Sequence, residues 1–599
     1  MTASEPKAGS AQGRATASLL KELWAFARPH KFWLFAGLIM IPILGLTTAY
    51  RPLLLKEAID EKIPSGDLAG ARDIALYFLG LVGVEFAALS TQIYCLQRAG
   101  HQTIYDLRKA LFSHAMRLPA RFFDRHPIGN LLSRTTSDVE GLGETLSFGV
   151  FTILTDVFII ASILVSMFML DAKVAAISLS LAPVLWLIVR FFARALRKLQ
   201  LEIRRAQGVQ TGHLAEQLAG ISVLQLFGRE QAAHERYAEL GRRYLRATKT
   251  ANIYDALLFA LMDGIAAFCI AVMLYVGASK VLGDAPDVMT VGVLSAFVLY
   301  LQRIFVPIRE FSGKLAIIQR ATASLDRIWG LFGEPIEAQL RDDTQALDSW
   351  TGGVRIRDLR FRYREDTPEV LKGISLDIAP GEVVAVVGRT GSGKSSLGRV
   401  LTQIYDGYEG RIELDCGDGY VELSSLAPAQ VRRRMLMVQQ DVFLFDADAR
   451  YNISLGQSDL HEDDATLEAA LELVQARGFV GDRGGLSMQV GERGRSLSAG
   501  EAQLLAFARV AARKPTMLIL DEATASVDSM TEQRVQAAIE GLLKGRSVLV
   551  IAHRLSTIRH ADKIVVMSDG QIAESGTHEE LMAQRGLYAE LYESAFAED

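Results

Sequence analysis

The chain has 599 residues, 50% of them hydrophobic, with a mean hydropathy of +0.19 and a formal net charge of −5. A positive mean hydropathy beside 22% charged residues describes two unlike parts rather than one uniform globule. The charge balance lacks the basic excess of a nucleic-acid binder, and three scattered cysteines (Cys95, Cys269, Cys416) exclude a disulfide framework or a Cys/His zinc site.

The N-terminal stretch MTASEPKAGSAQGRATASLL is polar and rich in small residues, with no apolar core that could serve as a signal peptide. Residues 19–33, LLKELWAFARPHKFW, read as a short interfacial elbow helix with Trp24 and Trp33 at the membrane surface. A helix needs about 20 mostly apolar residues to cross a bilayer. Six runs qualify, near 32–55, 73–96, 145–170, 174–193, 252–282 and 289–311. Their connections alternate between short and long. The two long arms, 97–144 and 194–251, read as helical without being apolar. Seven Lys/Arg lie in 97–140 and eleven in 194–249, against three in the loop 56–72. Basic residues stay cytoplasmic, which places both arms, the N-terminus and the C-terminal half inside.

Glu85, Asp156, Asp255, Asp263, Arg303, Arg309 and Glu310 fall within or at the ends of these runs. Such groups are costly in lipid and face either a pathway or a partner. For Glu85, Asp156 and Asp263 the two readings stay open; for Arg309 and Glu310 pairing or placement beyond the bilayer is favoured. Pro307 removes a backbone donor from the sixth span and is expected to bend it.

The composition changes after Phe332. These shifts suggest a tail and elbow (1–31), a transmembrane domain (32–332), a polar linker (333–353) and a nucleotide-binding domain (354–599). Strand patterns such as VRIRDLRFRY, EVVAVVG and TMLILDE alternate with helical segments, as in an α/β domain. GRTGSGKS, Gly388 to Ser395, follows the strand VVAVV and opens a helix, the setting a phosphate loop requires. Its backbone amides would curl around phosphates at a helix N-terminus. Gly388, Gly391, Ser392, Gly393, Lys394, Ser395 and Ser396 are therefore the expected nucleotide contacts, with Lys394 supplying charge and Ser395 a hydroxyl to Mg2+. MLILDE ends in Asp521, suited to the Mg2+ shell, and Glu522, placed as general base toward an attacking water.

LSAGE (Leu497–Glu501), lying 20 residues before Asp521 and followed by AQLLAFAR, resembles the signature of ATP-binding cassette (ABC) proteins. The resemblance extends to FFDRHPIGNLLSRTTSDV (Phe122–Val139), which looks like the first cytoplasmic arm of six-span exporters of this family, and to VGERG (Val490–Gly494). It implies an α-helical transmembrane domain of six spans with long cytoplasmic extensions, followed by an α/β P-loop cassette. It further implies that Tyr363 stacks on adenine, that Gln440 contacts Mg2+ and the attacking water, and that His553 contacts the γ-phosphate. Ser498 and Gly500 would present the signature to a partner's nucleotide, and Asp528 would lie at the cassette dimer interface. Coupling helices are expected near 118–127 and 217–227. The implied protein is a half-transporter in a lipid bilayer, the bacterial cytoplasmic membrane given no organelle-targeting segment. With ATP, Mg2+ and a second half-transporter, it would export a hydrophobic or amphiphilic drug or lipid. An ATP-gated channel and an exporter-fold importer are the alternatives.

Two signature positions depart from the family's LSGGQ: Ala499 stands for a glycine and Glu501 for glutamine. Either both are tolerated, or the methyl hinders close approach and the carboxylate adds like charge near the phosphates. Because Lys394, Gln440, Glu522 and His553 are all kept, the pattern resembles the glutamate-bearing half of heterodimeric multidrug-type exporters, and a heterodimer is favoured over a homodimer.

Overall fold

Long apolar runs leave the backbone no hydrogen-bond partner in lipid except itself, so they fold as helices. The computed structural model describes residues 16–145, 150–180, 182–281, 290–337, 345–347, 349–521, 529–551, 559 and 561–596. These form two compact units, one of residues 1–116 and 129–334 and the other of residues 117–128 and 335–599.

The first unit is helical. The elbow is α1 (Thr16–Ala27), followed by α2 (Lys31–Glu57) and α3 (Leu68–Ala115). After α4 (Ala120–Arg125), which belongs to the second unit, the short segments α5 (Ile128–Ser133) and α6 (Val139–Glu144) lead to α7 (Val150–Leu170), α8 (Ala172–Leu179) and α9 (Ala182–Ala219). A single turn, α10 (Ile221–Leu226), precedes α11 (Glu230–Val281) and α12 (Val291–Phe332). Among the described residues five helical stretches are long and apolar enough to cross a membrane: Lys21–Lys62, Leu68–Ala115, Phe151–Leu170, Glu230–Gly277 and Val291–Ile308. The expected run 174–193 is divided between α8 and the start of α9. The arms are the less apolar continuations of α3, α9 and α11, and α12 runs unbroken through Pro307. Tyr300, fully buried, donates to the Ala49 carbonyl, and Asp60 accepts from Thr290 and from the Gly292 amide, which ties the end of α2 to the start of α12.

The second unit holds two sheets. The antiparallel sheet has the order β2 (Leu371–Ile378), β1 (Val354–Phe361), β4 (Glu409–Asp415), β5 (Tyr420–Glu422). The larger has the order β10 (Gln571–Gly576), β9 (Lys563–Ser568), β3 (Val383–Val387), β8 (Ser547–Ile551), β7 (Met517–Asp521), β6 (Met435–Val438), parallel from β9 to β6. Its helices in chain order are α13 (Lys394–Leu401), α14 (Pro428–Arg434), α15 (Ala449–Ser454), α16 (Ser458–His461), α17 (Asp464–Leu473), α18 (Arg477–Asp482), α19 (Ala499–Arg513) and α20 (Ser529–Leu543), followed by two C-terminal helices. Every residue of β7 and β8 is buried, as expected of strands covered on both faces.

Side chains alternate across a strand, and here they feed two cores. Met517 and Ile519 of β7 pack with Leu397 of α13 and with β1, β2 and β4. Leu518 and Leu520 pack with Leu504, Leu505 and Ala508 of α19 and with α17 and α20. The phosphate-loop helix and the signature helix thus lie on opposite faces of one sheet.

Candidate functional site

Four of the five parallel strands, β3, β8, β7 and β6, supply the carboxyl edge of this site, where open α/β sheets bind ligands. The loop 388–393 leaves β3 there, Asp521 is the last residue of β7, and Gln440 stands two residues beyond β6, exposed. Glu522, Asp528 and His553, which follow β7 and β8 in the chain, lie outside the described residues.

Lys394 opens α13 and is buried; its ammonium donates to the carbonyls of Gly388 (2.7 Å) and Arg389 (3.0 Å). Burial holds its pKa below the usual lysine value, opposed by the nearby Asp521 carboxylate. Two glycines make the turn possible. Gly393 caps α13 at φ +102°, and a Cβ on Gly388 would meet the Met567 carbonyl oxygen at 2.2 Å. Gly391 also has positive φ. The buried Ser392 hydroxyl has no hydrogen-bond partner, so the loop holds an unspent donor beside a desolvated cation. That is chemistry suited to a phosphate. Ser395, half-buried in the first turn of α13, the buried Asp521 and the Gln440 side chain are oxygen ligands of the kind Mg2+ takes.

Tyr363 is anchored on the same helix: its hydroxyl and that of Ser396 lie 2.8 Å apart. Its ring meets those of Phe361 and Tyr405 edge-on, with centroids 5.0 Å away in each case.

At the signature, Ser498 is the N-cap of α19 and Gly500 is buried in its first turn. Glu501 does not lie free. Its carboxylate accepts from the Ser498 amide (2.9 Å) while the Ser498 hydroxyl accepts from the Glu501 amide (3.2 Å), a capping box. Arg483 closes on the same carboxylate at 2.8 and 3.3 Å. Sequence reading singled out Glu501 as an added charge and missed Arg483, which lies 18 residues upstream with no motif to mark it. The carboxylate is committed to its own helix end and has a counter-ion.

The segment expected to couple, 118–127, forms α4 and belongs to the compact unit of the cassette. Phe122 is buried, Arg121 donates to the Asp406 carbonyl, and Tyr405 donates to the Asp124 carboxylate at 2.7 Å. Burial and that carboxylate both push the Tyr405 hydroxyl above the ordinary tyrosine pKa. Sequence reading assigned nothing to Tyr405. The second expected segment is α10, in the other unit; Leu226 and Phe227 there are 83% and 75% exposed.

Two of the membrane acids left open by sequence are paired. Glu85 meets Arg51 at 2.5 Å and Arg303 at 3.4 Å; Asp156 meets Lys314 at 2.6 Å, which also holds Glu310 at 3.0 Å. Asp255 and Asp263 lie on exposed positions of α11, and nothing is described of the Arg309 side chain.

A phosphate-loop ATPase cassette joined to a helical membrane domain defines an ATP-powered membrane transporter. Comparison with known proteins agrees. Residues 34–307 match the model of the ABC transporter transmembrane region and residues 371–525 that of the ABC transporter cassette. The multidrug export ATP-binding/permease protein YgaD of Bacillus subtilis (so named, provisionally) is 32% identical over 584 residues, 96% of this chain and 99% of that protein. An ATP-dependent lipid A-core flippase of Chromohalobacter salexigens is 32% identical over 583 residues, 97% and 98% of the two chains. A bacterial Atm1-family ABC exporter solved with ATP bound superposes with a TM-score of 0.77 at 26% identity, covering 94% of this chain and 98% of that one. The chain belongs to the ABC transporter family. It is a multi-pass membrane protein with an ATP-binding ATPase cassette, built as a half-transporter of the kind that dimerises.

Proposed function

We propose that this chain is one half of an exporter that uses ATP hydrolysis to move a hydrophobic or amphiphilic compound, a drug or a lipid, across the cytoplasmic membrane of a bacterium. The observation that carries the reading is the placement of α13 and α19 on opposite faces of one sheet. A chain so built does not close its signature on its own phosphate loop, so the other half of each nucleotide site must come from a second cassette. The proposed domains are 1–31, 32–332, 333–353 and 354–599.

The residues divide the work. Lys394, Ser392 and the amides of 388–396 hold the phosphates and compensate their charge. Tyr363 takes the adenine face, while Ser498 and Gly500 serve the partner's nucleotide and Asp528 the dimer interface. Glu522 accepts the proton of the attacking water at its carboxylate, and His553 and Gln440 orient water and γ-phosphate. Ser395, Gln440 and Asp521 would hold Mg2+, which would supply charge neutralisation to the phosphate oxygens. The seat of α4 on the cassette carries closure to the spans, which then switch access. The partner is proposed to be a different half-transporter, since this chain keeps the hydrolytic side but carries the altered signature.

The test is uptake of a fluorescent amphiphile by inside-out vesicles containing the protein, with Glu522→Gln as control. ATP-dependent uptake lost in the variant is expected. ATP turnover with no movement of any amphiphile, or uptake that survives the variant, would sink the reading. ATPase assay of the chain alone in nanodiscs separates the dimers, because robust turnover would mean a self-sufficient homodimer.

A further inference from the structure

The cassette has a second concavity, at the opposite end of the strands from the nucleotide loop. It measures about 650 Å³ and is entered between the start of β7 and β8 and the helices α17 and α19. One wall is apolar, made by Ala469, Leu473 and Ala511; the other carries Thr516, Lys514 and Arg546. No carboxylate lines it among the described residues. Asp463, whose charged form Lys514 stabilises, is occupied in capping α17 through the Thr466 amide (3.0 Å) and hydroxyl (2.6 Å).

Arg546 is the unusual group. Its Nη1 is shut off from solvent and meets no hydrogen-bond acceptor. Burial alone accounts for the displacement of its pKa, downward, with no carboxylate offsetting it. A partly desolvated guanidinium without an anion is an expensive arrangement, and a buried polar atom left unmatched in a native fold calls for a partner. Of the described groups, none supplies one. An anion entering the cavity would lie against Arg546 in the wall and Lys514 at the rim, with Thr516 beside them, and the shut-off Nη1 would reach it once the guanidinium turns toward the opening.

We propose that this cavity is a binding site for a small organic anion, a phosphate or carboxylate group carried on a compact apolar body, held by Arg546 and Lys514 against the alanine and leucine wall. The site is separate from the nucleotide site. Met517 and Ser547 border this end, whereas Asp521 and Ile551 end the same strands at the other, four residue steps away. At about 3.3 Å per residue that is roughly 13 Å through the rigid centre of the sheet, close enough for an occupant to influence the nucleotide edge.

The experiment is calorimetric titration of the full-length protein in nanodiscs, its nucleotide sites saturated with a non-hydrolysable ATP analogue. Phenyl phosphate is the probe, inorganic phosphate tests the anion alone, and benzyl alcohol is the uncharged control. We expect one phenyl phosphate per chain, weaker binding of inorganic phosphate and none of benzyl alcohol. Arg546→Gln should weaken phenyl phosphate at least tenfold. Lys514→Gln, on an exposed side chain whose loss leaves the fold alone, should weaken it two- to fivefold and keeps the test decisive if the Arg546 variant does not assemble. Absence of saturable binding to the unaltered protein, equal binding of benzyl alcohol, or undiminished affinity in either variant would overturn the site.

Discussion

The capping clasp at the signature makes the most direct test, because it assigns the Glu501 charge to its own helix rather than to the nucleotide. In Glu501→Ala the Ser498 amide loses its acceptor and Arg483 its counter-ion. The cap is worth about 1 kcal/mol. The ion pair, with Arg483 44% and Glu501 17% exposed, is discounted for solvent screening to roughly 0.5–1 kcal/mol. Hydrogen exchange of the first-turn amides of α19 should therefore speed up about 12- to 30-fold, with the interior of the helix unchanged. Glu501→Gln keeps an acceptor for the Ser498 amide and should lose less than half of that protection. Its KM for ATP should stay within about twofold of the parent. By contrast, a free carboxylate about 8 Å from a phosphate would cost ~2 kcal/mol at an effective dielectric of 20, about thirtyfold in affinity. A tenfold or greater fall in KM in Glu501→Gln, or first-turn exchange untouched by Glu501→Ala, would refute the assignment.

Three further outcomes are expected. Tyr405→Phe removes the hydrogen bond to Asp124, worth ~1.5 kcal/mol with a charged acceptor; transport per ATP should fall roughly tenfold while basal ATPase is kept, and unaltered coupling would show that α4 is held otherwise. Asp138, buried and bound to Arg327 at 2.5 and 2.8 Å, has its pKa lowered chiefly by that hydrogen bond. Its contribution is thus complete above the ordinary carboxylate range near pH 4 and fades as the pH falls through the lower folded-state value. Asp138→Asn should lose ~1–2 kcal/mol, discounted because Arg327 is 49% exposed, with a thermal-stability deficit constant from pH 8 to pH 5; convergence already at pH 6 would contradict the pairing. Glu85→Gln strands Arg51 and Arg303 in the membrane, at a cost of ~2.5–3.5 kcal/mol for an unpaired arginine, so extraction yield should drop and partly recover in the double variant with Arg51→Gln. A stable single variant that only loses transport would return Glu85 to the substrate pathway.

Much of this protein is legible in one dimension. The apolar runs near 32–55 and 73–96 became α2 and α3 because lipid allows the backbone no other pairing, and GRTGSGKS after VVAVV became a phosphate loop because glycine alone tolerates those close approaches. Such signals are local: a run length, a spacing, a turn residue. What sequence left open depends on residues far apart in the chain. Whether Glu85 and Asp156 face a pathway or a partner is decided by Arg51 and Lys314 on other helices, 34 and 158 positions away. Whether Glu501 repels phosphate is decided by Arg483, brought to the α19 cap by the fold. The unmatched Arg546 is likewise visible only once β8, α17 and α19 enclose it. A charge carries its own sign in the sequence, but the energy of that charge belongs to its surroundings, and only the tertiary structure supplies those.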